Sequence, residues 1–170
     1  LTGAQQRVAD EVAVDLMKSQ PSLRLIQGDV GSGKTVIAAL ASVHSFENNL
    51  QTALMAPTEL LAEQHFINMS NWLAPLGIKT AWLSGRVTGK KRDEELARIL
   101  TGDAAVIIGT HALFQKDVRF RNLGLVIVDE QHRFGVHQRL ALRAKGSAGN
   151  TSPHQLVMTA TPIPRTLSMS

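Results

Sequence analysis

The run GDVGSGKT, from Gly28 to Thr35, carries the clearest chemistry in the chain. It matches the phosphate-binding pattern G-x-x-x-x-G-K-[ST] at every position. Glycines at 28, 31 and 33 allow the backbone to wrap a phosphate, and Asp29, Val30 and Ser32 complete the loop whose N–H groups would line it. Lys34 supplies a point charge for the β and γ phosphates, and Thr35 offers a hydroxyl to Mg²⁺. A helix starting at about residue 35 would aim its positive end at the same anion. In a shuffled chain this pattern would arise roughly once in a few hundred trials at ordinary glycine usage. A strand-like run before it and a helical pattern after it make coincidence rarer still.

A second constellation is LGLVIVDEQH, residues 123–132, an apolar run ending in Asp129 and Glu130. Ligands of open parallel sheets collect at the carboxyl ends of the strands. There Asp129 is assigned to the metal, and Glu130 to orienting or deprotonating the attacking water. The expected catalytic set is Lys34, Asp129 and Glu130, with ATP and Mg²⁺ as cofactors. The six histidines, at 44, 65, 111, 132, 137 and 154, show no zinc-ligand spacing. They are read as structural or as contacts to nucleotide or DNA. No nucleophile elbow and no dinucleotide fingerprint is present.

These residues need a scaffold that brings strand ends together. Apolar runs at 23–27, 52–56, 79–83, 105–109, 125–129 and 155–159 alternate with helical patterns near 35–46, 59–73, 90–100 and 137–144, and a helix near 4–18 precedes the first strand. Several runs are apolar at successive positions, as expected of strands covered on both faces. The alternation predicts an α/β fold. Its central sheet is mainly parallel, with helices on both faces. Residues 145–154, KGSAGNTSPH, read as a loop within the domain. The 170 residues fit one domain, and 44% hydrophobic with 19% charged residues is ordinary for a globular core. There is no cysteine, which fits a reducing cytosol, and no apolar run approaches the roughly 20 residues of a membrane span. A net charge of +4 favours anionic partners such as nucleic acid.

Five motifs occur in order: GDVGSGKT, APTELLAEQ (56–64), GTHALFQ (109–115), DEQHRFGVHQR (129–139) and TATPIPRTL (159–167). In that order they resemble motifs I, Ia, Ib, II and III of the superfamily-2 helicases. With the P-loop, this resemblance implies that the α/β fold is of the P-loop NTPase, RecA-like type. LTGAQ (1–5) is similar to the adenine-reading Q motif, which would put Gln5 on the base. The wording of motifs II and III resembles the RecG-type ATP-dependent DNA helicases of bacteria, enzymes of DNA repair and recombination that remodel stalled forks and branched DNA. The transcription-repair coupling factor, or another DNA-translocating P-loop ATPase, is the alternative.

The resemblance implies that Pro57 and Thr58, and Gly109, Thr110 and His111, touch the DNA backbone, with free N–H groups at both segments for phosphates. It implies that Thr159, Ala160 and Thr161 couple hydrolysis to movement, their hydroxyls placed to bond the acidic pair. It also implies partners within a longer chain: a second RecA-like domain closing the ATP cleft, and a wedge domain N-terminal to the motor. On this reading, residues 1–170 are the first motor domain, ending just past motif III, and by themselves bind Mg-nucleotide weakly and hydrolyse it poorly. The basic run 132–145, with Arg133, Arg139, Arg143 and Lys145, is either a solvated face or an interface. GKKRDEELAR (89–98) is expected to be a surface helix. Trp72 and Trp82 are expected in the core rather than stacked on bases.

Overall fold

In a computed structural model, residues 2–28, 33–129 and 152–159 are described. Six strands form one sheet: β1 (Leu23–Gln27), β2 (Gln51–Met55), β3 (Thr80–Leu83), β4 (Val106–Gly109), β5 (Leu123–Asp129) and β6 (His154–Thr159). Their order across the sheet is β1-β6-β5-β2-β4-β3, and every pair is parallel. Among the described residues, four α-helices accompany them: α1 (Gly3–Leu16), α2 (Lys34–Glu47), α3 (Glu59–Leu73) and α4 (Gly89–Thr101). The fold is α/β with a wholly parallel sheet, as the alternation of patterns predicts. Strand boundaries move by one or two residues. His154, read from sequence as the end of a loop, opens β6, because its Nδ1 accepts the Ser22 N–H at 2.9 Å and pins β6 beside β1. Burial holds that imidazole below its ordinary pKa, in keeping with its role as a neutral acceptor. The helix expected near 137–144 lies outside the described residues.

Alternation along each strand sends side chains to two covered faces. Leu54, Val106, Ile108, Leu125, Ile127, Leu156 and Met158 pack on one face with residues of α1, α2 and α3. Ala53, Met55, Ile107, Val126 and Val128 pack on the other with Ile99 of α4 and Leu113. The central strands β2 and β5 are buried along their whole length, which is why their sequences show no polar alternation. Near the start of β2, buried Gln51 is satisfied on both ends. Its Nε2 donates to the carbonyls of Ile99 and Ala104, and its Oε1 accepts from Asn122 N–H, all at 2.9 Å.

The starts of α1 and α3 are set by side-chain caps. Thr2 caps α1 in a reciprocal box with Gln5: Gln5 N–H reaches Thr2 Oγ1 at 3.1 Å and Thr2 N–H reaches Gln5 Oε1 at 2.9 Å. Thr58 caps α3 by accepting Leu61 N–H at 3.2 Å. α4 is a surface helix, as its mixed charges suggest. Ile99 is its one buried residue, and Arg98 bridges Glu95 and Asp103 at 2.9 Å each. Arg98 and Lys79 together hold the Asp103 carboxyl below its usual range. Trp82 packs against the core with its ring 5.6 Å from Phe66, whereas Trp72 is 42% exposed, contrary to the expectation of burial. The stripe of α3 that faces the sheet runs through Ala62, His65, Met69 and Leu73, and Trp72 falls off it.

At the end of β4, a Cβ on Gly109 would lie 1.9 Å from the carbonyl oxygen of Leu83. Backbone rather than a movable side chain occupies that space. Gly109→Ala should therefore cost at least about 1–3 kcal/mol, read as a lower midpoint in denaturant unfolding. An unchanged midpoint would show that β3 and β4 separate easily.

Candidate nucleotide and metal site

Parallel pairing fixes which residues share an edge. The register pairs Gln27 with Thr159, Asp129 with Met158, and Met55 with both Val128 and Gly109. The phosphate loop, motif III, the acidic strand end, and the Ia and Ib segments therefore all emerge from one carboxyl edge. The loop leaves β1 through Gly28, whose N–H donates to Thr159 O at 3.2 Å. The start of motif III is thus hydrogen-bonded to the start of the phosphate loop. The chain re-enters the described residues at Gly33, which has φ +86° and opens α2. Glycine is suited to that left-handed conformation, and it brings no side chain to cap the helix. An uncapped helix start is a ready anion site, unlike the threonine-capped starts of α1 and α3. Lys34 lies back across the loop, its Nζ donating to Gly28 O at 2.9 Å, so its charge sits at the loop mouth. Thr35 follows in the first turn of α2.

Gln5 reaches the same loop. Its Oε1 is held by the α1 cap, and its Nε2 lies where a Cβ on Gly33 would fall, 1.8 Å from that position. Position 33 is constrained twice, by backbone conformation and by the carboxamide above it.

Asp129 ends β5 with its side chain on the face covered by α1, α2 and α3, the face of its register partner Met158. It is buried, and its Oδ2 is 2.5 Å from Nε2 of His65 on α3. No hydrogen bond to Oδ1 occurs among the described residues. Thr159 stands one residue beyond Met158 and so projects to the opposite face from Asp129. A bond from the Thr159 hydroxyl to Asp129 is therefore out of register. His65 is the site residue that sequence reasoning missed. The available signal was a polar residue in the buried stripe of α3.

The Ia and Ib segments sit on the same edge, over β2 and β4. Thr58 is exposed and its hydroxyl is engaged as the α3 cap, with Pro57 before it. At Ib the expectation of a free N–H needs correction. Thr110 is buried and its N–H donates to Leu83 O at 3.2 Å, because β3 and β4 approach closely at Gly109. His111, next in the chain, is exposed at the start of a 3-10 turn, His111–Phe114. Asp29, Val30, Gly31, Ser32, Glu130, Ala160, Thr161 and the basic run 132–145 lie outside the described residues.

Thr35 and Asp129 supply hard oxygen donors suited to Mg²⁺. No cluster of three metal-ligating side chains exists among the described residues.

A phosphate loop entering an uncapped helix, beside a strand-end aspartate on an all-parallel sheet, defines the chain as a RecA-like P-loop nucleotide-binding domain. It belongs to the DEAD/DEAH box helicase family, whose family model matches residues 2–170. It is 59% identical over 169 residues to the ATP-dependent DNA helicase RecG of Haemophilus influenzae, and 58% identical over the same length to that of Escherichia coli K12. Each match covers 99% of this chain and 24% of the relative, so the chain spans about a quarter of these relatives' length. A solved structure of RecG bound to a three-way DNA junction matches 99% of the chain and 22% of its own, with TM-score 0.83 and 44% identity. The helicase MrfA has the same fold at TM-score 0.75 and 19% identity. No helix among the described residues is long and apolar enough to cross a membrane.

Gly33→Ala should be destabilising through the left-handed conformation, about 1–2 kcal/mol, plus the overlap with Gln5. The same substitution should cost less in a Gln5→Ala background, by a coupling of about 0.5–3 kcal/mol. A denaturant double-mutant cycle measures this, and strict additivity would mean that Gln5 does not rest on Gly33.

Proposed function

We propose that the chain is the first RecA-like motor domain of a RecG-type DNA helicase. It binds Mg-ATP on the carboxyl edge of its sheet and, within a longer protein, couples hydrolysis to the remodelling of forked or branched DNA. The observation that carries the nucleotide half of this reading is the convergence of Gly28, Lys34, Thr35 and Asp129 on one edge, with Lys34 already spanning the loop. The DNA half rests on the extent of identity to RecG proteins and on the relative solved with a DNA junction. The wording DEQH of motif II and GSGK of the phosphate loop favour this over the transcription-repair coupling factor.

The division of labour follows from chemistry. The loop N–H groups and Lys34 hold the β and γ phosphates. Thr35 and Asp129 would hold Mg²⁺, which when bound neutralises charge on the phosphate oxygens. Glu130 accepts the proton of the attacking water and fixes its line of approach. Gln5, tethered at Gly33, faces the base. Pro57, Thr58 and His111 touch the DNA backbone without reading sequence, which suits a motor that runs over any sequence. A second RecA-like domain supplies arginine to the γ phosphate, a contribution of about 10³ to 10⁵ in rate in the GTPase cases. A wedge domain engages the branch point. The setting is the bacterial cytoplasm.

Lys34→Ala should weaken nucleotide binding roughly ten- to a hundredfold, the worth of a charge-assisted contact, in a titration with a fluorescent nucleotide. Unchanged affinity would remove the phosphate-loop assignment. In the full-length protein, branched DNA should stimulate steady-state ATP hydrolysis. Glu130→Gln should lower that rate by about 10² to 10⁴, the range of general base catalysis, with nucleotide affinity intact. Residues 1–170 alone should show little of this rate. DNA-stimulated hydrolysis by the isolated chain, abolished by Glu130→Gln, would show instead that the domain completes its own site.

A further inference from the structure

The stripe of α3 that faces the sheet is apolar except at one place. Ala62, Met69 and Leu73 are buried among strand side chains, and between them stands His65, also buried. An imidazole in such a stripe is costly unless its polar atoms are matched. Its match is Asp129, at 2.5 Å. With Asp129 as the acceptor, Nε2 carries the proton donated to Oδ2. The carboxylate is thereby turned and held by one oxygen, and Oδ1 remains without a hydrogen bond among the described residues. β2, from which the chain leads into α3, is the strand next to β5, so the helix returns across one strand spacing to hold the end of its neighbour.

We propose that His65 is a positioning residue for the metal site: it fixes Asp129 through Oδ2 so that Oδ1 is presented to the Mg²⁺ of the bound nucleotide. This rests on the nucleotide reading above and deepens it. A donor behind a metal-ligating group orients it and raises metal affinity. Loss of such an outer partner commonly costs 10- to 100-fold in metal binding. A purely structural histidine would affect folding but not the metal concentration that the bound nucleotide requires.

The test is a Mg²⁺ titration of full-length protein with a fluorescent ADP analogue. Wild type is compared with His65→Leu, which keeps the apolar stripe but removes the donor, and His65→Gln, whose amide N–H can replace Nε2–H. Thermal unfolding of each variant is recorded alongside. His65→Leu should raise the half-saturating Mg²⁺ concentration by about tenfold or more, with metal-free ADP affinity unchanged. His65→Gln should recover most of the wild-type Mg²⁺ dependence. A Mg²⁺ requirement in His65→Leu equal to that of wild type overturns the proposal. So does a lower requirement, which would make His65 a competitor of the metal. Equal impairment in both variants also overturns it, since packing rather than the hydrogen bond would then be at stake. If wild type itself binds the analogue with no Mg²⁺ dependence and Lys34→Ala binds as well as wild type, the nucleotide reading fails first and carries this one with it.

Discussion

Parallel pairing of β5 with β2 on one side and β6 on the other is the constraint from which the site follows. A parallel ladder gives every strand the same polarity, so each loop that leaves a carboxyl end leaves on the same side. Gly28, Asp129, Thr159, Ala56 and Gly109 are separated by as many as 131 residues in sequence, yet they gather at one edge of the sheet. The ladder can be so regular because the central strands are apolar on both sides and have helices to cover them. Moving β5 by one residue against its neighbours would turn Asp129 to the opposite face and bring Val128 to the face of His65.

Along that edge the polar groups hold one another. The Gly28 N–H bond to Thr159 O joins the start of the phosphate loop to the start of motif III through backbone alone. Gln5 serves both the α1 cap and the Gly33 surface, so the position of the N-terminal helix and the conformation of the loop depend on each other. Away from the edge, α1 is fastened to β1 by Arg24, which pairs with Asp15 and Glu11. The Arg24 hydrogen bond keeps the Asp15 carboxyl below its usual range, so this clasp stays charged at neutral pH. Its distance from the loop leaves the edge free for ligand chemistry.

The edge also divides in two. The phosphate loop and motif III occupy the β1–β6 side, while Pro57, Thr58 and His111 belong to the β2–β4 side. β1 and β4 stand four strand spacings apart, roughly 19 Å at about 4.8 Å each. Asp129 lies on β5, next to β2 at the boundary, and a residue of the helix that follows Thr58 holds it. The segment proposed to touch DNA and the carboxylate proposed to hold the metal are thus mechanically adjacent, though 71 positions separate Thr58 from Asp129 in sequence.

The sequence by itself determined the elements and the chemistry of the ligand. Strand and helix periods are local, and a P-loop announces itself because glycine, lysine and threonine at fixed offsets satisfy one backbone geometry. The places of Gly28, Lys34, Thr35 and Asp129 were legible for that reason. Tertiary structure alone decided the pairings between distant residues. His65 looked like any other histidine until α3, packed over β3 and β4, brought it to the end of β5. Thr110 looked like a free phosphate donor until β3 came close enough to take its N–H. Trp72 looked like core until the rotation of α3 left it exposed. Each of these depends on which face of one element meets another, a quantity set by packing the whole sheet and absent from any local stretch of residues.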